Sequence, residues 1–141
     1  MIHDVSTDTD DPPQFIALRE TRLACRNGLE YSGGKQRYPG IEPQHFTQPH
    51  AQLFQAALAA ANAMQWHIAA AIESEGRIEA TATTRLLRFK DDVVIRICPA
   101  TDGSRLDVRS ASRVGSSDFG ANARRIRAFL LELNNHLKTI T

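Results

Sequence analysis

This chain lacks the residue patterns that build disulfide frameworks, metal centres or membrane spans. Its two cysteines, Cys25 and Cys98, lie far apart and match no metal or redox motif. They read as inert thiols, with one Cys25–Cys98 disulfide as the alternative. No group of His, Cys and carboxylates has metal-ligand spacing, so no metal is expected. No apolar stretch approaches the roughly 18 uninterrupted residues of a membrane span, so no span is expected and the chain as written reads as soluble. Ser32-Gly33-Gly34-Lys35 lacks the spacing of a phosphate-binding loop and reads as a flexible turn; no cofactor is expected. Net charge is also nearly absent. A formal value of +1 argues against a dedicated nucleic-acid or membrane-surface binder.

What is present fits a single domain over 1–141. A chain of 141 residues with 42% hydrophobic and 23% charged content buries a core that requires no staple. The neutral balance hides an asymmetry. Residues 85–127 hold ten Lys/Arg against five Asp/Glu, whereas the rest holds seven against eleven, with the acidic excess starting at Asp4, Asp8, Asp10 and Asp11. A local positive field therefore sits within a nearly neutral molecule.

Residues 1–49 form a Pro/Gly-rich arm containing Pro12, Pro13, Pro39, Pro43 and Pro49, five of the six prolines. A long structureless segment inside a small domain is either tied across the core or functional. The arm is expected to pack over the domain through Phe15, Ile16, Leu18, Tyr31, Tyr38, Ile41 and Phe46, with a short strand or helical turn around Phe15–Cys25. From 50 to 141 the pattern is helix, four strands, helix. Leu53, Phe54, Ala57, Leu58, Ala61 and Met64 keep helical spacing over 50–64. Trp66, Ile68, Ala70 and Ile72 then alternate as a strand from 65, which turns at Ser74-Glu75-Gly76. Strands over 77–89, 92–98 and 104–113 complete a meander, with tight turns at Lys90-Asp91 and Pro99–Gly103. A last helix, capped by Ser117 or Asp118, carries the stripe Phe119, Ala123, Ile126, Leu130, Leu133 and Leu137. The expected fold class is α+β: a four-stranded antiparallel meander with both helices on the face of Trp66, Ile68, Ile78, Ala80, Val93, Ile95, Ile97, Leu106 and Val108.

Pairing Ile97 with Leu106 keeps those apolar residues together. It places Arg96 opposite Asp107, and Arg109 opposite Val94 and diagonal to Asp92. Arg113, Glu79, Thr81, Thr83, Arg85 and His67 share this second face by parity. Asp91 and Asp92 point to opposite faces, which suits a turn plus an ion pair better than a catalytic carboxylate pair. Arg109 and Arg113 approach the helix starting at Asp118, where free amides favour an anion; Asp118 itself can equally be that anion. The charged face lacks the exposed aromatics of RNA-binding sheets, so no nucleic acid is expected.

The segments Asp4-Val5-Ser6-Thr7-Asp8, Pro12-Pro13-Gln14-Phe15, Tyr38-Pro39-Gly40-Ile41, Trp66-His67-Ile68 and Ile78-Glu79-Ala80-Thr81 resemble one family throughout. Phe89-Lys90-Asp91-Asp92-Val93-Val94-Ile95-Arg96 and Asp107-Val108-Arg109-Ser110-Ala111-Ser112-Arg113-Val114-Gly115 continue the match, with Asp118, Gly120, Asn122 and Arg125-Ile126 after them. It is the bacterial and plastid family called domain of unknown function 1499. The resemblance implies that the arm belongs to the domain. It carries over no activity and no catalytic residue. Similar members often have N-terminal membrane segments or lie in envelope or thylakoid settings.

Three functional readings stay open. The first is a binding module holding an anionic small molecule through Arg96, Arg109, Arg113, Asp92, Asp107 and Asp118. The second is a structural or assembly domain with an internal ion-pair network and a protein partner. The third is an enzyme with Asp92 or Asp107 as acid/base and the arginines stabilising an oxyanion. An open arginine-lined pocket marks the first, and complete pairing of the arginines with carboxylates marks the second. A buried carboxylate without an arginine marks the third. The binding module is placed first.

Overall fold

The computed structural model describes residues 2–35 and 38–140. Apolar alternation produces four long or medium strands: β3 (His67–Ile72), β4 (Arg77–Thr83), β5 (Lys90–Ala100) and β6 (Gly103–Ser112). They pair antiparallel in sequence order, as the meander expectation requires. The predicted register holds at Ile97–Leu106, Arg96–Asp107 and Val94–Arg109. The sheet nevertheless has six strands, not four. The arm contributes β1 (Asp4–Ser6) and β2 (Gln44–Phe46), which both pair with β6, β1 at residues 109–111 and β2 at residues 104–106. A bare β6 would offer a row of unsatisfied N–H and C=O groups, and the arm closes that edge. Strands of three residues are too short to show a period of two. Gly103 is required where β2 crosses: its φ is +146°, and a Cβ there would overlap the Phe46 carbonyl oxygen.

Two helices cover one face of the sheet, as expected: α2 (His50–Ala63) and α3 (Ala121–Ile140). Leu53, Phe54, Ala57, Ile126, Phe129 and Leu133 from these helices pack on Ile78, Val93, Ile95, Leu106 and Val108 from the sheet. Trp66 stacks on Phe129 with centroids 5.4 Å apart, so the tryptophan is part of the core.

The stripe on α3 begins two positions into the helix and excludes Phe119, contrary to the sequence expectation. Asp118 caps the helix, its carboxylate accepting the N–H groups of Gly120 at 2.7 Å and Asn122 at 3.2 Å. Phe119 lies ahead of the first turn with φ +51° and is 86% exposed. Strand β4 likewise stops at Thr83, not at residue 89. The Thr84 hydroxyl accepts the Phe89 N–H at 2.8 Å, closing a loop that carries Leu86 and Leu87 out of the sheet.

The opposite face is covered by the arm. A short helix, α1 (Arg19–Ala24), follows Phe15 and Leu18, which pack on Val94 and Ala111. Ile16, expected as an anchor, is exposed because the chain turns there. Truncating Phe129→Ala removes the ring that Trp66 stacks on and leaves a cavity in the helix layer. It is expected to lower the unfolding free energy by about 3–5 kcal/mol, read by chemical denaturation.

Candidate functional site

The polar face of the sheet lies between β4–β6 and the arm, and its charges are matched group by group. Asp92 is fully buried. Its Oδ1 accepts bonds from Thr81 Oγ1 and Arg113 Nη2, each at 2.9 Å. Its Oδ2 accepts bonds from Arg113 Nε at 3.0 Å and Arg22 Nη1 at 3.3 Å. Arg22 comes from α1 and also donates to the carbonyls of Gly28, Ala111 and Ser112. Arg109, 3% exposed, grips Asp4 through two bonds of 3.0 and 2.9 Å and donates to the carbonyls of Pro13 and Leu29. Its guanidinium carbon lies 4.8 Å from the Phe15 ring centre and 5.4 Å from that of Tyr31, so the arm encloses it on both sides.

A third cluster lies toward the β5–β6 turn. Asp107 accepts bonds from Thr7 Oγ1 at 2.7 Å, Arg105 Nε at 2.8 Å and Arg96 Nη2 at 3.4 Å. Arg96 and Arg105 both continue to Asp8, at 3.0 and 2.8 Å. Burial pushes the Asp8 carboxyl up, but the N–H groups of Asp11 and Asp10 and the guanidiniums of Arg105 and Arg96 outweigh it. They hold Asp8 below the ordinary value of 3.8. Glu79 is fully buried and accepts the N–H groups of Ile16, Ala17 and Leu18 at 2.7–3.1 Å, with Arg77 as its ion-pair partner. Burial, then the neighbouring Asp4 carboxylate, pushes the Tyr31 hydroxyl up to about 12.

The six residues proposed from the sequence therefore do not line one open cleft. Arg96 meets Asp107, and Arg113 meets Asp92; Arg109 turns to Asp4; Asp118 stands at the start of α3 as its cap. Asp91 points to the other face and pairs with Arg125 at 2.8 Å. Sequence reasoning left out Asp4, Asp8, Arg22 and Arg105 as partners. The acidic arm set against the basic 85–127 segment was the available signal. Gly33 belongs to the same contact: a Cβ there would overlap the Asp4 carbonyl oxygen, so the Gly-Gly turn is a close-packing device. Among the described residues no cluster could hold a metal, and both cysteines are free thiols.

A family model described as a protein of unknown function, DUF1499, matches residues 4–133. The chain belongs to the DUF1499 family. The match opens at Asp4, the residue that holds Arg109, so the arm of this DUF1499 member falls within it together with the core. No relative is found among the curated proteins.

Most of the large apolar side chains that the described residues expose, and several cations without an ion pair, gather at one end of this DUF1499 chain. Leu86 is 89% exposed and Leu87 65%, and with Phe89, Val114 and Phe119 they surround an apolar cavity of about 240 Å³. They are five of the eight large hydrophobic side chains that the described residues expose. A wider concavity of about 850 Å³ adjoins it, sharing Thr84 and Ala121 and lined by Arg85, Arg88 and Arg124. These three arginines and Lys90 are exposed and make no ion pair among the described residues. No helix among the described residues is long and apolar enough to cross a membrane.

Two outcomes are expected of the buried charges. Arg109→Ala leaves Asp4 buried without its cation and lowers the unfolding free energy by about 3–5 kcal/mol, measured by denaturant titration. For Asp8, a folded value below 3.8 means that its contribution is present above the unfolded value and is lost as pH falls through the folded one. The stability gap between wild type and Asp8→Asn is therefore full at neutral pH and closes through the acid range, followed by unfolding titrations at stepped pH.

Proposed function

We propose that this chain is a non-catalytic interaction domain, in which arm and core form a single unit and the end around Leu86, Leu87 and Phe119 is the working surface. The gathering of exposed apolar side chains around one cavity, with unpaired cations beside it, carries this reading. Apolar patches of this kind on small proteins mark places where another surface docks. The polar sheet face supports it from the other side. Each of Asp4, Glu79, Asp91, Asp92 and Asp107 has an arginine within ion-pair distance. None is left with the unmatched, desolvated carboxyl that general acid–base chemistry at neutral pH calls for.

The binding of an anionic small molecule by Arg96, Arg109 and Arg113 has less support. A cavity of about 250 Å³ does touch Arg109 beside Phe15, Arg19 and Tyr31, but the Arg109 donors are committed to Asp4, Pro13 and Leu29. An anion there would have to displace the arm.

The working-surface reading is tested in the cells that make the protein, with the variant Leu86→Ser/Leu87→Ser/Phe119→Ser and the control Leu131→Ser, which alters an exposed leucine elsewhere. Wild type and control are expected to fractionate as a bound species. The triple variant, with an unchanged thermal midpoint, is expected as the free 15.6 kDa chain. A variant that stays in the wild-type fraction, or a wild type that itself runs free, overturns the reading.

A further inference from the structure

Resting on the working surface just described, we infer that its partner is an anionic bilayer surface, which receives Leu86, Leu87 and Phe119 among its acyl chains and phosphate headgroups against Arg85, Arg88, Lys90 and Arg124. Shape carries the first half of the argument. Leu86 and Phe119 stand out as tips from two separate loops, one closing the β4–β5 hairpin and the other leading into α3. A rigid partner protein would need a matched pocket for each tip. A fluid apolar phase takes both without any such match.

Charge carries the second half. Along residues 84–90 cations flank each apolar pair or single side chain, in the order Arg85-Leu86-Leu87-Arg88-Phe89-Lys90. This spacing puts cations at headgroup level when the leucines enter the apolar layer. The two acids near this end are already committed. Asp91 is buried against Arg125, and Asp118 caps α3. With Arg85, Arg88, Lys90 and Arg124 exposed against the single unpaired carboxylate of Asp118, the end is net positive even though the whole chain carries a formal +1. The whole-chain balance, which argued against membrane-surface binding, averages away this field because most of the chain's acids lie away from this end, Asp4, Asp8 and Asp107 among them in ion pairs with other arginines. Attraction of this kind is selective for anionic lipid and weakened by salt.

The experiment is co-sedimentation of the full chain with phosphatidylcholine vesicles and with vesicles containing one quarter phosphatidylglycerol, at low and moderate salt. Thermal-shift titrations with inorganic phosphate and glycerol phosphate run alongside. The expected result is partitioning about tenfold or more in favour of the phosphatidylglycerol vesicles, reduced by salt. Arg85→Gln/Arg88→Gln/Arg124→Gln and Leu86→Ser/Leu87→Ser/Phe119→Ser should each remove most of it at an unchanged thermal midpoint. Equal partitioning onto both vesicle types, or binding that neither variant weakens, overturns the inference. So does a midpoint shift from free phosphate that the arginine variant abolishes while vesicles stay unbound, which would assign the cations to a soluble anion. Failure on vesicles while the triple apolar variant is still displaced in cells rejects the bilayer and keeps the interaction domain, with a protein as its partner. Failure in both rejects the working surface itself.

Discussion

Burial of paired charge between sheet and arm is the constraint on which the rest of the structure depends. Taking an ion out of water costs several kcal/mol even after relaxation, and this face buries Asp4, Asp92, Asp107, Arg22, Arg109 and Glu79 within a small molecule. Such a face forms only when every partner arrives together. The arm supplies Asp4, Asp8 and Arg22, β4 to β6 supply Glu79, Asp92, Arg96, Asp107 and Arg109, and Arg113 follows directly after β6. Within the core Arg113 meets Asp92, Arg105 meets Asp107 and Arg77 meets Glu79, but Arg109 and Asp4 find each other only across the boundary between the two halves. The arm is held in one position because few other arrangements leave no buried ion alone. Replacing such networks by apolar residues is often neutral or stabilising in other proteins, so their role here is as much to select one path of the arm as to add stability.

The two faces of the sheet thus do different work. Under α2 and α3, apolar burial supplies a non-directional force, and Trp66 on Phe129 belongs to it. Under the arm, bidentate arginine–carboxylate geometry supplies direction. Glu79 joins these roles by gathering three consecutive amides of the arm where the chain turns into α1. With both faces spent on internal matching, functional freedom is left to the edges and loops. The loop over residues 84–89 and the turn before α3 carry the exposed apolar and cationic groups.

Much of the core was legible beforehand because its signals are local or periodic. The alternation in β5 and β6 set their register through Ile97 and Leu106, and with it the Arg96–Asp107 pair. Helical spacing located α2 and most of α3. The failures share one cause, competition from groups distant in the chain or from short local bonds. β1 and β2 are too brief to show a period, and they form because β6 has an open edge. Arg109 was placed near Asp92, but the bidentate partner is Asp4, 105 positions away. Phe119 matched the stripe by spacing, yet the cap formed by Asp118 starts the helix after it. Thr84 ended β4 six residues early by bonding Phe89.

By itself, the sequence determined the helix–meander–helix core, the separation of an apolar from a charged sheet face, and the family, because these rest on residue order over short spans. The tertiary structure alone decided that Arg109 takes Asp4, that Arg22 reaches Asp92 and that Asp8 joins Arg96 and Arg105. Charge pairing is a property of distance, and the folded arm brings Asp4 and Asp8 to arginines about a hundred residues later. Once those pairs close, Arg85, Arg88 and Arg124 stand exposed beside the apolar tips at one end, where no count of residues could place them.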